Sequence, residues 1–131
     1  VEARLPVVPP RTGTAFLEVS RRHGDFALVG VAASLTVDDG GVCTGCAIAL
    51  TGVGPTPFVA REAARGLIGV KPTPEAFDEA GRRVSGVVQP DSDLHASSEY
   101  RRHLSGVLTR RALARAAGRL AGGGRAREEG R

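Results

Sequence analysis

Four stretches of this 131-residue chain carry side chains whose types and spacing could perform chemistry. The densest is the polar segment 20–25, which contains Arg21, Arg22, His23 and Asp25. Arginines presented by a loop could hold a phosphate or a carboxylate, because the guanidinium group matches both in charge and geometry. The residues alone favour the plainer interpretation, a solvated loop in which Asp25 pairs with an arginine.

A second stretch combines acidic and imidazole side chains of the kinds that bind metal ions: Asp91, Asp93, His95 and Glu99. The alternative is a helix start, capped by Ser97 or Ser98, whose positive end interacts with the acids. The helix start is the favoured interpretation. We therefore predict no metal site, and no residue in the chain stands in a recognisable catalytic arrangement.

The two cysteines, Cys43 and Cys46, form a C-x-x-C tetrapeptide that could serve as a redox pair or as half a zinc site. A zinc site needs about four ligands, and the chain has no second pair. In a strand, side chains three positions apart point to opposite faces, so these two would need a bend to meet. We interpret them as small buried hydrophobic residues. The fourth stretch, Gly52-Val53-Gly54, lacks the third glycine of a dinucleotide motif.

The clearest structural pattern around these stretches is a β-hairpin. Side chains alternate in size over residues 27–37 and again over 42–51, and Asp38-Asp39-Gly40-Gly41 between them tolerates the positive φ angles of a tight turn. Each strand has one bulky face and one face of small residues. We expect a helix layer on the bulky face, while the small face permits close approach by another layer.

The rest of the pattern completes an α+β fold. Residues 2–8 are predicted to form a strand, and residues 15–19 are predicted to form a short helix, because Phe16 and Val19 share a helical face. Three further helices are predicted over residues 58–69, 74–88 and 97–121. Strands followed by helices indicate a small antiparallel sheet packed against about three helices. We assign residues 1–121 to one domain and 122–131 to a disordered tail.

Composition argues against several classes of function. The net charge is +4, but the arginines are scattered and only four phenylalanines and one tyrosine could stack on bases. We therefore expect no nucleic-acid binding. No apolar run reaches the roughly 20 residues that span a bilayer, and the N-terminus lacks a signal-peptide pattern, so we expect a cytoplasmic protein. The chain contains no methionine, and we expect it to be a piece of a longer one.

Three stretches, taken together and in order, resemble a known family. They are residues 14–27, with Arg-Arg-His-Gly-Asp-Phe-Ala; residues 49–57, with Gly-Val-Gly-Pro; and residues 93–104, with Asp-Leu-His-Ala-Ser-Ser-Glu-Tyr-Arg. The combination resembles the C-terminal domain of the FAD-binding (medium) subunit of molybdenum hydroxylases, the group of carbon monoxide dehydrogenase and xanthine dehydrogenase.

The resemblance implies the same α+β sandwich and a role in a multi-subunit oxidoreductase. In that family the medium subunit binds FAD, mainly through N-terminal domains that this chain lacks. It passes electrons between iron–sulfur clusters in a small subunit and an external acceptor, and a large subunit holds the molybdenum cofactor. The C-terminal domain closes against the flavin and contacts partner domains, so this chain alone is not expected to be catalytic.

The resemblance also assigns positions. It places Arg21, Arg22, Asp25 and Phe26 on the loop that lies near the flavin edge in relatives. Arginines there could tune the flavin potential or steer an anionic dinucleotide.

The final-helix motif is interpreted as structural. Tyr100 would dock the helix, and Arg101 would pair with Glu99 across the loop. The second hypothesis for the whole chain is a stand-alone interaction module that binds a partner without flavin.

Overall fold

The computed structural model describes residues 2–3, 8–22, 24 and 26–121. Four strands come first and three helices follow: β1 Thr12–Ser20, β2 Ala27–Val37, β3 Cys43–Thr51, β4 Phe58–Val59, α1 Arg61–Arg65, α2 Pro74–Val87 and α3 Ser98–Ala121. The strands form one antiparallel sheet in the order β1-β2-β3-β4. The predicted α+β architecture, a small antiparallel sheet with three helices, is confirmed.

The predicted hairpin joins β2 to β3 through a turn stabilised by its own residues. The carboxylate of Asp38 accepts hydrogen bonds from the backbone N–H groups of Gly40, at 2.9 Å, and Val42, at 3.0 Å. Gly41 has a φ of 81°, which glycine adopts without steric cost. Local turn chemistry therefore sets the register that brings the two bulky faces together.

All three helices lie on the bulky face of the sheet, as predicted. Helix α3 packs across β1 and β2, α2 packs on α3, and α1 covers β3. The sheet contributes most of its fully buried side chains from β2 and β3: Val29, Val31, Leu35, Cys43, Ile48 and Leu50. The opposite face carries small residues such as Ala32 and Ala47, which are exposed.

The prediction of a short helix at residues 15–19 is wrong, because these residues form the centre of β1. Ala15, Leu17 and Val19 alternate toward the helix layer, and Phe16 points the other way. The spacing of Phe16 and Val19 also fits a helix. A helix of under two turns is marginal, however, while pairing along the whole of β2 satisfies the backbone of β1.

The predicted helix at 58–69 is much shorter in the structure. Residues 58–59 form β4, and α1 ends at Arg65. The chain then turns back to the sheet: Gly69 donates a backbone hydrogen bond to Cys43, at 2.8 Å, and Val70 accepts one from Cys43, at 2.9 Å. Gly69 has a φ of 86°, so the helix cannot continue through it.

The two cysteines do not lie on opposite sides of the sheet. Leu35 pairs with Cys46, but Val37 pairs with Cys43, so Thr44 is an extra residue that forms a bulge. The bulge shifts the alternation by one position. Cys43 is buried in the core and Cys46 packs against the same core.

The second predicted helix is confirmed at its start. Thr73 caps α2, because its hydroxyl accepts a hydrogen bond from the N–H of Ala76 at 3.2 Å, and Pro74 is the first helical residue. Of the predicted first strand, residues 4–7 lie outside the described residues, and Val8 belongs to no strand. The predicted tail at 122–131 also lies outside the described residues.

Helices α2 and α3 approach closely at a pair of glycines, Gly81 and Gly106. A Cβ atom on Gly81 would lie 2.7 Å from the carbonyl oxygen of Gly106. We expect Gly81→Ala to lower the free energy of unfolding by about 1–3 kcal/mol, because overpacking outweighs the gain in helix propensity. Denaturant titration measures the change.

The matched control is Gly86→Ala, also in α2, where an added Cβ meets nothing within 4 Å. This variant should raise the free energy of unfolding by about 0.5–1 kcal/mol. Equal stabilisation by the two substitutions would show that the helix crossing does not require glycine at position 81.

Candidate functional site

Two polar segments that are far apart in sequence meet at one end of the sheet. Arg21 follows β1, and His95 lies in the loop before α3, 74 positions later. Their Nη1 and Nδ1 atoms are 2.7 Å apart. Because arginine is always protonated, it donates this hydrogen bond and the imidazole nitrogen accepts it. With Arg21 as the donor, Nδ1 is the accepting nitrogen of His95.

Asp93 holds the loop that carries His95. Its Oδ1 atom accepts hydrogen bonds from the backbone N–H groups of His95, at 2.9 Å, and Ala96, at 3.0 Å. Its own N–H donates to the carbonyl oxygen of Ala96 at 3.0 Å. One aspartate thus fixes both sides of the turn and the direction in which the imidazole leaves the backbone.

Arg101, in the first turns of α3, ties this loop to the sheet. Its side chain is 9% exposed. Nη1 donates to the carbonyl oxygens of Leu28, at 2.6 Å, and Gly52, at 3.2 Å, and Nη2 donates to Asp93 Oδ2 at 2.8 Å. The guanidinium therefore joins the start of β2, the end of β3 and the His95 loop.

These contacts lower the pKa of Asp93 from its ordinary value of 3.8 to about 2. The backbone hydrogen bond from His95 is the largest cause, followed by that from Ala96, and the guanidinium of Arg101 adds a smaller contribution. Each favours the ionised carboxylate. Asp93 is therefore a fixed negative charge that balances Arg101.

A cavity of about 360 Å³ opens beside these residues. Its walls are formed by Arg21, Phe26, Ala27, Leu28, Asp93, His95 and Arg101. Asp93 neutralises Arg101, and no carboxylate among the described residues pairs with Arg21. The ring of Phe26, at the rim, is 99% exposed. As far as the described residues show, this surface combines one unbalanced cation with one aromatic ring, which suits contact with a planar, electron-accepting or anionic group.

The structure brings together two of the four residues predicted for the site, Arg21 and Phe26. Arg22 is exposed and does not line the cavity, and its carbonyl oxygen accepts a hydrogen bond from the hydroxyl of Ser20 at 2.9 Å. Asp25 lies outside the described residues, as does the neighbouring His23.

The sequence interpretation assigned the wrong partner to Arg101, which pairs with Asp93 and not with Glu99. Tyr100 is 46% exposed, so it does not anchor α3 in the core. The predicted helix cap is confirmed, since the Ser97 hydroxyl accepts a hydrogen bond from the N–H of Tyr100 at 3.1 Å. The sequence pattern marks Asp93 and His95 as candidate metal ligands, but it does not indicate that their loop contacts the loop of Arg21.

Within the described part of the chain, no group of three His, Cys, Asp or Glu side chains is placed to hold a metal ion. The cysteines also lack the features of a reactive pair. Burial raises the pKa of Cys43, and burial, with a smaller contribution from Cys43, raises the pKa of Cys46 to about 12. Both side chains are therefore thiols near neutral pH.

Comparisons with known proteins agree on one family. Residues 14–116 match the family described as the CO dehydrogenase flavoprotein C-terminal domain. The chain is 38% identical, over 116 residues, to the carbon monoxide dehydrogenase medium chain of Afipia carboxidovorans, and this covers 88% of the chain and 40% of that protein. It is 34% identical, over 88% of its length and 39% of the relative, to the 6-hydroxypseudooxynicotine dehydrogenase complex subunit alpha of Paenarthrobacter nicotinovorans.

Solved structures give the same result. Reconstituted CO dehydrogenase from Oligotropha carboxidovorans superposes with a TM-score of 0.81 at 37% identity, covering 88% of this chain and 40% of that one. Quinoline 2-oxidoreductase from Pseudomonas putida 86 superposes with a TM-score of 0.78 at 32% identity, covering 85% and 39%. The chain thus spans about 40% of the length of these relatives. None of its described helices has the length and apolar character needed to cross a membrane.

The lowered pKa of Asp93 predicts an acid-dependent stability. A carboxyl group whose pKa is lower in the folded state stabilises the fold above its unfolded pKa of about 4, and this contribution is lost as the pH falls through about 2. We expect Asp93→Asn to be less stable than the wild-type chain near neutral pH. The difference should shrink between about pH 4 and pH 2.

Urea titrations across this pH range measure the effect. Asp91→Asn is the matched control, because Asp91 lies in the same loop and has no hydrogen bond or ion pair among the described residues. A wild-type advantage over Asp93→Asn that stayed constant down to pH 2 would contradict the assignment.

Proposed function

This chain belongs to the family of CO dehydrogenase flavoprotein C-terminal domains, and from that premise we propose that it closes one side of the flavin site in an FAD-containing electron-transfer subunit. The subunit is cytoplasmic and serves a molybdenum hydroxylase of the xanthine, carbon monoxide or aldehyde dehydrogenase type. The loop from Arg21 to Phe26, with Arg22 and Asp25, is the part of this chain that lies nearest the flavin.

The observation that carries the proposal is the environment of Arg21. Its guanidinium contacts the imidazole of His95 at 2.7 Å and has no carboxylate partner among the described residues. This hydrogen bond orients the guanidinium, and no carboxylate in the described part of the chain balances its charge. That charge lies on the wall of an open cavity beside the exposed ring of Phe26.

These residues fit one side of a flavin and are too few to hold one alone. Arg21 supplies positive charge, and the Phe26 ring supplies an apolar surface that excludes water. FAD, when held mainly by parts of the subunit outside this chain, supplies reversible electron acceptance. The role of the chain is then electrostatic: Arg21 favours the more negative, reduced state of whatever redox group faces it. Asp93 and Arg101 keep that charge in place by fixing the loop of His95.

The partners follow from the kind of protein to which the chain is similar. Relatives are named as a medium chain and as a complex subunit, which are components of oxidoreductase assemblies. We extend this to N-terminal FAD-binding domains, a small iron–sulfur subunit and a large subunit with the molybdenum cofactor. The chain contributes no catalytic residue of its own, and substrate oxidation takes place in another subunit.

A first prediction concerns the chain produced by itself. It should fold and bind no FAD, because the cavity offers few contacts and stands open at the surface. An absorbance spectrum after incubation with FAD and gel filtration measures this, and visible flavin absorbance should be absent. Stoichiometric, tightly bound FAD in the isolated chain would overturn the idea that the flavin site lies mainly elsewhere.

A second prediction concerns Arg21→Ala in the complete medium subunit. Removing one partly solvated charge near the flavin is worth about 1 kcal/mol, which is about 20 mV for a two-electron couple. We expect the midpoint potential to become more negative by about this amount, because the reduced state loses a favourable interaction. Spectroscopic redox titration measures the potential.

Arg115→Ala is the matched control for charge. Arg115 is exposed on α3, far along the helix from Arg101, and its loss changes the net charge by the same amount. The flavin midpoint potential of the Arg115→Ala subunit should match that of the wild-type subunit. Equal shifts in the two variants would indicate a general charge effect, and no shift in either would place the flavin away from Arg21.

A further inference from the structure

The sheet face that points away from the helices carries an apolar row across all four strands. Residues directly opposite one another in an antiparallel sheet share a face. The register places four apolar residues in one such line: Phe16, Ala32, Ala49 and Val59. Phe16 is 57% exposed and Val59 is 49% exposed. We call this surface, with the two rows beside it, the outer sheet face.

The flanking rows are small and almost uncharged. One row contains Thr14, Ser34 and Ala47, and the other contains Glu18, Gly30 and Thr51. Glu18 is the only charged residue of the three rows, although 24% of the whole chain is charged. In an antiparallel sheet with one solvated face, the residues on that face are normally polar. Loss of charge combined with exposed apolar side chains is typical of the centre of an interface.

The shape of the outer sheet face suits a flat, closely packed second layer. The ring of Phe16 lies over Gly30, where an added Cβ would be 3.2 Å from the Phe16 Cζ atom. Ala32 and Ala47 add no bulk. Layers that pack on a sheet sit about 10 Å away, and small residues let that layer come close.

The outer sheet face continues into the candidate functional site. Leu28 lies on β2 only two residues before Gly30, which belongs to the outer sheet face, at the point where the pairing with β1 shifts between Val19 and Ser20. Leu28 also lines the cavity that contains Arg21 and His95. A body that covers the apolar row therefore reaches the edge of the cavity.

We propose that the outer sheet face is the docking surface for the flavin-binding part of the same polypeptide in the longer medium chain, an inference that rests on the proposed function. The chain spans only 40% of the carbon monoxide dehydrogenase medium chain that it matches, so such a polypeptide contains a second large body. That body presents a flat apolar surface to the row and holds its flavin beside Arg21. A single rigid contact thus positions the redox group against the loop.

Cysteine accessibility in the full-length medium subunit tests the proposal. Ala32→Cys places a thiol in the middle of the apolar row, and Ala114→Cys places one on an exposed position of α3. We expect a maleimide reagent to label the cysteine at position 32 about tenfold or more slowly than the one at position 114, because a docked layer must open first. The native Cys43 and Cys46 give the baseline labelling in the unsubstituted subunit.

The outcomes are distinct. Equal labelling at the two positions would overturn the proposal, because the face would be open. Protection that disappears on dilution would overturn it in favour of a second copy, and protection seen only after the other subunits are added would assign the face to one of them. The labelling measurement does not depend on the flavin, so its result can be interpreted independently of the redox titration of Arg21→Ala. Protection without a potential shift would retain the docking surface and reject the role of Arg21.

Discussion

The buried guanidinium of Arg101 is the interaction on which the geometry of the site depends. A buried charge destabilises a fold unless it is paired and hydrogen-bonded. The two Nη atoms of Arg101 have acceptors from three segments, the carbonyl oxygens of Leu28 and Gly52 and the carboxylate of Asp93, while its buried Nε atom has no acceptor among the described residues. Gly52 is required for the arrangement. It has a φ of 83°, and a Cβ atom there would lie 2.1 Å from the Leu28 oxygen. Only glycine lets the two carbonyls come close enough to share one Nη atom.

The loop before α3 shows why this polar contact matters. Leu94, the only large apolar residue of segment 91–97, is 99% exposed, so the hydrophobic effect does little to fix this part of the loop. Asp93 fixes the conformation of the loop, because it accepts two backbone hydrogen bonds from within the loop and one from the side chain of Arg101. The loop can therefore present His95 and Leu94 to the outside and still keep one conformation. A rigid scaffold under a loop allows the functional side chains of that loop to remain exposed.

Sequence reasoning succeeded where the determinants are local and failed where they are not. The β2–β3 hairpin follows from its alternation and from the turn at Asp38–Gly41, and α2 follows from its cap at Thr73. Residues 15–19 are ambiguous by themselves, and their pairing with β2 decides the outcome. The same limit applies to the site. The family resemblance pointed to Arg21 and Phe26, but no local pattern could show that Arg21 contacts a histidine 74 positions away.

Strand β2 connects the parts of the molecule, because its alternate residues have different roles. Val29, Val31 and Leu35 are fully buried against the helices, while Ala32 lies exposed on the opposite side. At its start, the carbonyl of Leu28 binds Arg101 and its side chain lines the cavity. The period of two means that a slip of one residue would exchange the core face and the outer face. The bulky core residues hold the register, and the register keeps the outer sheet face and the cavity aligned. Substitutions on the outer face can therefore alter docking without altering the fold that presents it.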